Sequence, residues 1–339
     1  MVKKTTQSGA VLVIIVWILA ILVLLAISVG RRTSIELRLV RYHLDRIQAF
    51  YLAKAGLERI YREKLNDKDT AIDTLDEPWS NKIKSNKEPE FKDFALGNGK
   101  FAVQYDYYET KDKKQTFYGM QDEQSKLNIN KIIENSETQV INKRAGEFKK
   151  LLDSVLEGSA ADSDSLVDTF IDWIDNDQDK RPQGKEAYEK SVTPKNAPLN
   201  RLEELLMIDG YTPAMIEQLE RYITIYGDGL INVNTASQEV LEAVGFNENT
   251  LKAEDIISSR GDGVYVREIK SSDTPSALGT DGILYIKSGA DIDTSRLSVK
   301  SSVFKARSIG TVNNVIKKIT TVIKIDSEAL AQQLYWYED

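Results

Sequence analysis

The residues best suited to chemistry are carboxylates. From Asp153 to Asp179 the chain carries nine acids and no basic residue. Asp172, Asp175, Asp177 and Asp179 close that run, and Glu186 follows. With Asp175 as position one, acids stand at one, three, five and twelve, the spacing of a calcium loop. Position six of such a loop is glycine for the sharp turn; here it is Lys180, and Pro182 also falls inside. The segment is therefore not read as an EF-hand. Alternate hard oxygens still suit Ca2+, and their mutual repulsion is costly without a cation. Two readings stand: a Ca2+ site with Asp172, Asp175, Asp177, Asp179 and Glu186 as candidate ligands, or a solvated acidic loop.

Other chemistry is poorly supplied. The 339 residues include no cysteine and one histidine, His43. That excludes thiol nucleophiles and zinc–thiolate sites and leaves one imidazole for any triad. His43 stands beside Tyr42 with no evident catalytic partner. There is no phosphate-binding glycine loop and no nucleophile–base pair, so the chain is not expected to be an enzyme. Ile231 to Ser237, with Leu241 and Ile256 to Arg260, resembles the helix-hairpin-helix segments of DNA-binding proteins, which offer backbone N–H groups to phosphate. Its hairpin, Gly245 to Asn249, carries Glu248 where phosphate would sit, and residues 121–275 sum to -13. That charge repels a polyanion, so the fold is expected without nucleic acid.

The elements that must position these groups begin with an anchor. Ala10 to Val29 has no charge and one hydroxyl, Ser28, and is long enough to span a bilayer core as a helix. Lys3 and Lys4 flank one end and Arg31 and Arg32 the other, which leaves orientation open. The stretch exceeds a signal-peptide core. A plain anchor and a prepilin-like leader both remain; in the latter, Met1 to Gly9 is removed and Ala10 begins the mature chain. From Ser34 to Leu65 there is no proline and the only glycine is Gly56. Leu37, Val40, Leu44, Ile47 and Tyr51 recur at helical steps. The span is therefore expected to run on as an amphipathic helix and to meet partner helices through those five residues.

Charge divides the chain. Net charge is -7, yet residues 31–64 carry nine basic and four acidic groups, so a basic stalk precedes an acidic body. In the body, residues 66–90 read as a loop with a short helix. Phe101, Val103, Tyr105 and Tyr107 alternate as a strand over Gly99 to Tyr108, with Thr116 to Met120 as a pairing partner. A helical block follows: Phe148 to Leu156, Ser165 to Asp175, Leu202 to Ile208, Pro213 to Tyr226 after an N-capping Thr212, Thr235 to Val244 capped by Thr235 or Asn234, and Ala253 to Arg260. Strand character returns over Ile283 to Lys287, Leu297 to Ser308 and Lys317 to Ile325, with Gly310 to Asn314 as the last turn. Lys126 to Asn130 and Leu230 to Asn234 echo each other, each asparagine pair suited to capping and backbone hydrogen bonds.

Several segments together resemble the minor pseudopilin K family of type II secretion systems. They are Ser8 to Leu12, Leu44 to Ala49, Ala53 to Glu58, Asp122 to Asn130, Asp172 to Asp175, Ala197 to Leu205 and Ile231 to Ala236. The resemblance implies an α+β fold: a pilin-like long N-terminal helix packed on an antiparallel sheet, with a large inserted helical domain of SAM-like or helix-hairpin-helix-like type. It divides the chain into a prepilin leader (1–9), a transmembrane and amphipathic helix (10–65), a pilin-like strand region (66–120), the insert (121–275), strands completing the sheet (276–326) and a tail (327–339).

The same resemblance implies cleavage after Gly9 and methylation of Ala10 by prepilin peptidase. It also implies single-pass insertion in the bacterial inner membrane with the body in the periplasm. Its implied partners are other minor pseudopilins and exported protein cargo, and calcium is an expected ion. The glutamate common at position five of mature pilins is replaced here by Ile14. In the pilin picture that carboxylate neutralises a neighbour's buried terminal amine, which a subunit entering first does not need. The implied role is to cap and initiate a periplasmic pseudopilus. A tip pilin of a type IV pilus or competence filament, and a membrane-anchored helix-hairpin-helix DNA receptor, are the alternatives.

Overall fold

The computed structural model describes residues 8–67, 69–80, 89–134, 137–157, 162–186, 193–247, 249–325 and 331–339; most of the expected leader, residues 1–7, lies outside them. The chain opens with α1 (Ser8–Leu65), one uninterrupted helix through both the apolar span and the stalk. Strands β1 (Phe94–Leu96) and β2 (Gly99–Val103) follow, then the hairpin β3 (Tyr105–Thr110) and β4 (Lys113–Phe117), and the short β5 (Gln121–Asp122) and β6 (Leu127–Asn128). The helical block contains α2 (Thr138–Val155), α3 (Ser163–Ile174), a 3-10 turn at Leu202–Met207, α4 (Pro213–Leu219), β7 (Ile223–Thr224), β8 (Ile231–Asn232), α5 (Gln238–Ala243) and α6 (Ala253–Gly261). The chain closes with β9 (Glu268–Ser272), β10 (Ala277–Leu278), β11 (Ile283–Lys287), β12 (Leu297–Ser298), β13 (Val303–Val312), β14 (Val315–Ile325) and β15 (Ala331–Glu338).

The main sheet runs β1-β2-β13-β14-β15, antiparallel throughout, with β5 also paired to β13. Only the upper part of α1 packs on it. Ala49, Leu52, Ala53, Leu57 and Ile60 are buried against Phe101, Val103, Phe304, Ala306, Val312, Ile319 and Ile323. Small residues permit this approach. A Cβ on Gly310 would lie 1.9 Å from the Ala49 carbonyl, and one on Gly56 would lie 2.4 Å from Ser308 Oγ. The insert has its own core, built on Phe148, Leu151, Phe170, Trp173, Leu241 and Phe246.

Several expectations change in detail. The strands from 276 onward do not enter the main sheet until Val303. Instead β11 pairs with β9 and β10, β12 pairs with β8, and Leu284 and Ile286 belong to the insert's core. The turn between the last long strands is Asn313 and Asn314, not Gly310, which lies inside β13; Asn313 has φ 51. Residues 327–339, expected as a tail, contain β15, the edge strand beside β14. Thr116 and Phe117 pair with β3 in a separate hairpin. Helix α5 begins later than expected, capped by Ser237, whose Oγ accepts from Val240 N. Thr212 caps α4 as expected.

The echoed asparagines build the same device twice. Asn128 Oδ1 accepts from Asn130 N, and Asn232 Oδ1 accepts from Asn234 N. The second asparagine of each pair then bridges to distant backbone. Asn130 holds Leu199 through both its N–H and its carbonyl, and Asn234 does the same to Val266. Strands β6 and β8 each make a two-residue parallel pair, with β7 and β12.

Head and insert are joined by a buried polar chain. Lys64, at the end of α1, pairs with Asp73. Asp73 Oδ2 accepts from Ser301 N at 2.7 Å, and Ser301 Oγ donates to Asp122 Oδ2 at 2.6 Å. The same Asp122 oxygen accepts from Thr235 Oγ1 and Asn232 Nδ2. Burial pushes the Asp122 carboxyl up to about 6; the Ser301 and Thr235 hydrogen bonds oppose that and Asp73 adds to it. Replacing Gly310 by valine should destabilise the detergent-solubilised chain by about 3 kcal/mol, since the backbone of α1 leaves no room. Gly146→Ala in α2, where a Cβ meets nothing within 4 Å, should instead gain about 0.5–1 kcal/mol. Thermal melts of the two variants check this contrast.

Candidate metal centre and stalk surface

Helix α3 aims the carboxylates. Its apolar residues Leu166, Val167, Phe170, Ile171, Trp173 and Ile174 are buried in the insert's core. This fixes its C-terminal end, where Asp175 is the C-cap in extended conformation. Carboxylate oxygens of Asp175, Asp177 and Glu186 lie within 4.8 Å of one another. Asp175 Oδ1 and Glu186 Oε1 are buried and accept no hydrogen bond. The negative end of the helix dipole adds to the cost of placing acids there. Burial pushes the Asp175 carboxyl up to about 7, with Asp177, Asp172 and Glu186 adding to it and Arg181 opposing. Glu186 is raised by burial, then by Asp172, Asp177 and Asp179.

The five acids singled out in the sequence divide by role. Asp175, Asp177 and Glu186 converge. Asp172 is fully buried and organises the loop, accepting from Arg181 N at 3.1 and 3.3 Å. Gly184 is required against it, since a Cβ there would lie 1.9 Å from Asp172 Oδ2. Asp179 is exposed and gives its N–H to Asp177 Oδ1 at 2.8 Å. Two contributors were not singled out. Asp168 accepts from Arg181 Nε and Gln183 N, which closes the loop. Asn196, with φ 51, gives its N–H to Trp173 O at 2.9 Å, and its Oδ1 is buried without a donor. Sequence spacing gave no signal for it, because it returns to α3 from about twenty residues downstream.

A second acidic group shows what charge balance looks like here. Asp67, Asp73 and Glu77 also lie within 4.8 Å of one another. Lys64 sits among them, 2.9 Å from Asp67 Oδ2 and paired with Asp73. Burial lowers the Lys64 pKa, but Asp73 and Asp67 more than offset it and leave it raised. Glu77 takes hydrogen bonds from Thr74 N and Trp79 Nε1. The Asp175 group has no equivalent ammonium among the described residues. Two orphaned oxygens and three convergent carboxylates suit a hard cation such as Ca2+, which Asp175, Asp177 and Glu186 would hold.

The stalk shows the second feature. Leu37, Val40, Leu44, Ile47 and Tyr51 are all exposed, Tyr51 at 62%. Their steps of three and four make one seam of the coiled-coil kind. At about 100° per residue this seam lies half a turn from Ala49, Ala53 and Ile60, which face the sheet. The head therefore leaves it uncovered. Gly9 and Ala10 lie in the first turns of α1, both exposed. In the helix-hairpin-helix segment, Gly245 has φ 113 and packs on Asp291, where a Cβ would meet the carbonyl at 2.6 Å. The N–H groups of Phe246, Asn247, Asn249 and Thr250 are spent within the segment; Glu248 lies outside the described residues.

A raised carboxyl pKa carries a pH signature. With no cation, the Asp175 contribution to stability is fully present below the unfolded carboxyl pKa and is lost as pH rises through about 7. Added Ca2+ should therefore raise the melting temperature clearly at pH 8 and much less at pH 5.5, where protons compete. Asp175→Asn should abolish most of the calcium increment at pH 8. Calorimetric titration at the two pH values checks both.

Comparison with known proteins places these features. A profile described as type II secretion system (T2SS), protein K, matches residues 125–228. No curated protein matches the chain. A chain of the crystal structure of the GspK-GspI-GspJ complex from the enterotoxigenic Escherichia coli type 2 secretion system is similar in fold, with a TM-score of 0.60 and 18% identity. The alignment covers 88% of this chain and 99% of that one. The insert is thus similar to type II secretion system protein K over residues 125–228, and the fold resembles the chain from that complex over 88% of this chain's length.

Proposed function

We propose that this chain is the minor pseudopilin that caps and initiates the periplasmic pseudopilus of its secretion system. The observation that carries the reading is α1: one helix is anchor, stalk and part of the head's core, and its apolar seam is left uncovered opposite the head. An exposed seam at coiled-coil spacing is satisfied by another helix. Minor pseudopilins homologous to GspI and GspJ, which crystallised with the similar protein, are the proposed occupants of that seam.

The tip position rests on two further features. Ile14 offers no carboxylate to a subunit ahead, so α1 suits the first place in the filament. The insert, with a core of its own, widens the head beyond what stacking within a thin filament allows. On this reading prepilin peptidase cleaves after Gly9 and methylates Ala10. The Ala10 to Val29 segment holds the chain in the inner membrane, and the body stands in the periplasm near exported cargo. The protein works by assembly and not by catalysis. Calcium is its resident ion, neutralising the loop after α3 and so stiffening the insert.

Two measurements test the reading. Mass spectrometry of membrane-extracted protein should show a methylated Ala10 terminus that requires prepilin peptidase; an intact Met1 would overturn the filament role. Leu44→Asp with Ile47→Asp should reduce co-purification of the other minor pseudopilins at least tenfold while leaving the melting temperature within about 2 °C, because both residues are exposed. Unchanged co-purification would remove the seam as the interface.

A further inference from the structure

The stalk has a second face that the apolar seam does not explain. Arg31, Ile35, Arg38, Tyr42 and Arg46 recur at three- and four-residue steps, and at about 100° per residue they lie on the side of α1 that carries the head. The head base meets α1 at their upper end, where Asn313 Nδ2 donates to Asp45 Oδ2 at 2.9 Å, one residue before Arg46. Below that point the face is open: Ile35 is 59% exposed, Tyr42 is 52% exposed, and Arg31 and Arg38 are exposed, as is Arg46 beside the contact. Among the described residues no carboxylate pairs with Arg31, Arg38, Arg41 or Arg46, whereas Arg32 pairs with Glu36 at 3.1 Å. At the head base Lys100 pairs with Asp93 at 2.7 Å and Lys318 with Asp339 at 3.5 Å, so the charge beneath the head comes from the arginines of α1.

Distance decides between lipid and protein as the counter-charge. At 1.5 Å per residue, Arg31 stands about 3 Å past Val29, Arg38 about 13 Å and Arg46 about 25 Å. The headgroup layer on one side is about 5–8 Å deep, and charge is screened beyond about 8 Å. Lipid headgroups reach Arg31 and Arg32. They do not reach Arg46, and they reach Arg38 only weakly. A helix parallel to the stalk on this side would collide with the head at Asn313. The occupant must therefore end beneath the head.

We propose that this face seats an acidic surface on the body of a second anchored subunit, one whose head stands nearer the membrane. The stalk then has two neighbours of different chemistry: a helix on the apolar seam and an acidic body on the arginine face. This rests on the assembly reading above and deepens it. Arg38 and Arg46 supply the charge, and Tyr42 and Ile35 supply the apolar contact between them.

The test uses the full chain in membranes, expressed with the other pilin-like subunits of its secretion system. A photo-crosslinking benzoylphenylalanine is placed at Tyr42 in one sample and at Leu44 in another. The Tyr42 probe should join a pilin-like subunit through a peptide rich in Asp and Glu, and the Leu44 probe should join a different peptide. Arg38→Glu with Arg46→Glu should cut the Tyr42 product at least fivefold and leave the Leu44 product unchanged. Changing the contacted acids to lysine should restore the Tyr42 product. The proposal fails if the charge reversal leaves the Tyr42 product within twofold, or if that probe joins only lipid or a second copy of this chain. Loss of both products in the unaltered chain would overturn the assembly reading along with it.

Discussion

The structure depends on how closely one helix can approach one sheet. Ala49, Ala53 and Gly56 on α1 meet Ser308 and Gly310 on β13 with no space for another carbon. That contact lets the upper part of α1 serve as the core of the head while the rest extends below as stalk and as a segment long and apolar enough to cross a membrane. At 1.5 Å per residue the 58 residues of α1 reach about 87 Å. A rod of that length is aligned with the head only if its upper turns are held without play, and close packing supplies that rigidity.

Charge is managed in two ways at the two ends of the insert. Near the main sheet, Lys64 sits among Asp67, Asp73 and Glu77, and the chain of hydrogen bonds runs on through Ser301 and Asp122 to Asn232 and Thr235. The joint between head and insert therefore carries its own cation. At the far side, after α3, three carboxylates converge with no ammonium among them in the described residues. Removing a carboxylate from water without a partner is expensive. Asp175 responds by holding its proton up to about 7, which a bound cation would reverse. The first arrangement is balanced by a lysine of the chain itself, whereas the second leaves two carboxylate oxygens without a donor.

The lower stalk is asymmetric in the same physical sense. One face offers apolar area, which is non-directional and suits a parallel helix. The other offers guanidinium groups, whose planar forks favour carboxylates at defined positions. The two faces of the lower stalk therefore differ in the chemistry they offer as well as in shape.

The sequence by itself determined the elements whose signal is local. The apolar span and stalk needed only periodicity and the lack of proline. Helix α4 was marked by Thr212 and Pro213, and the division into basic stalk and acidic body by counting charge. The candidate site was partly legible: Asp175, Asp177 and Glu186 were singled out by spacing, but spacing could not separate them from Asp172 and Asp179. That separation is tertiary, because burial of α3 turns Asp172 inward to the loop backbone and leaves Asp179 in water. Asn196 and Lys64 entered only through contacts between distant segments. The assignment of β11 and β12 to the insert was also beyond local reading, because strand propensity fixes neither partner nor sheet. The far edge of the main sheet was likewise decided by pairing, since Ala331 to Glu338 becomes a strand only beside β14.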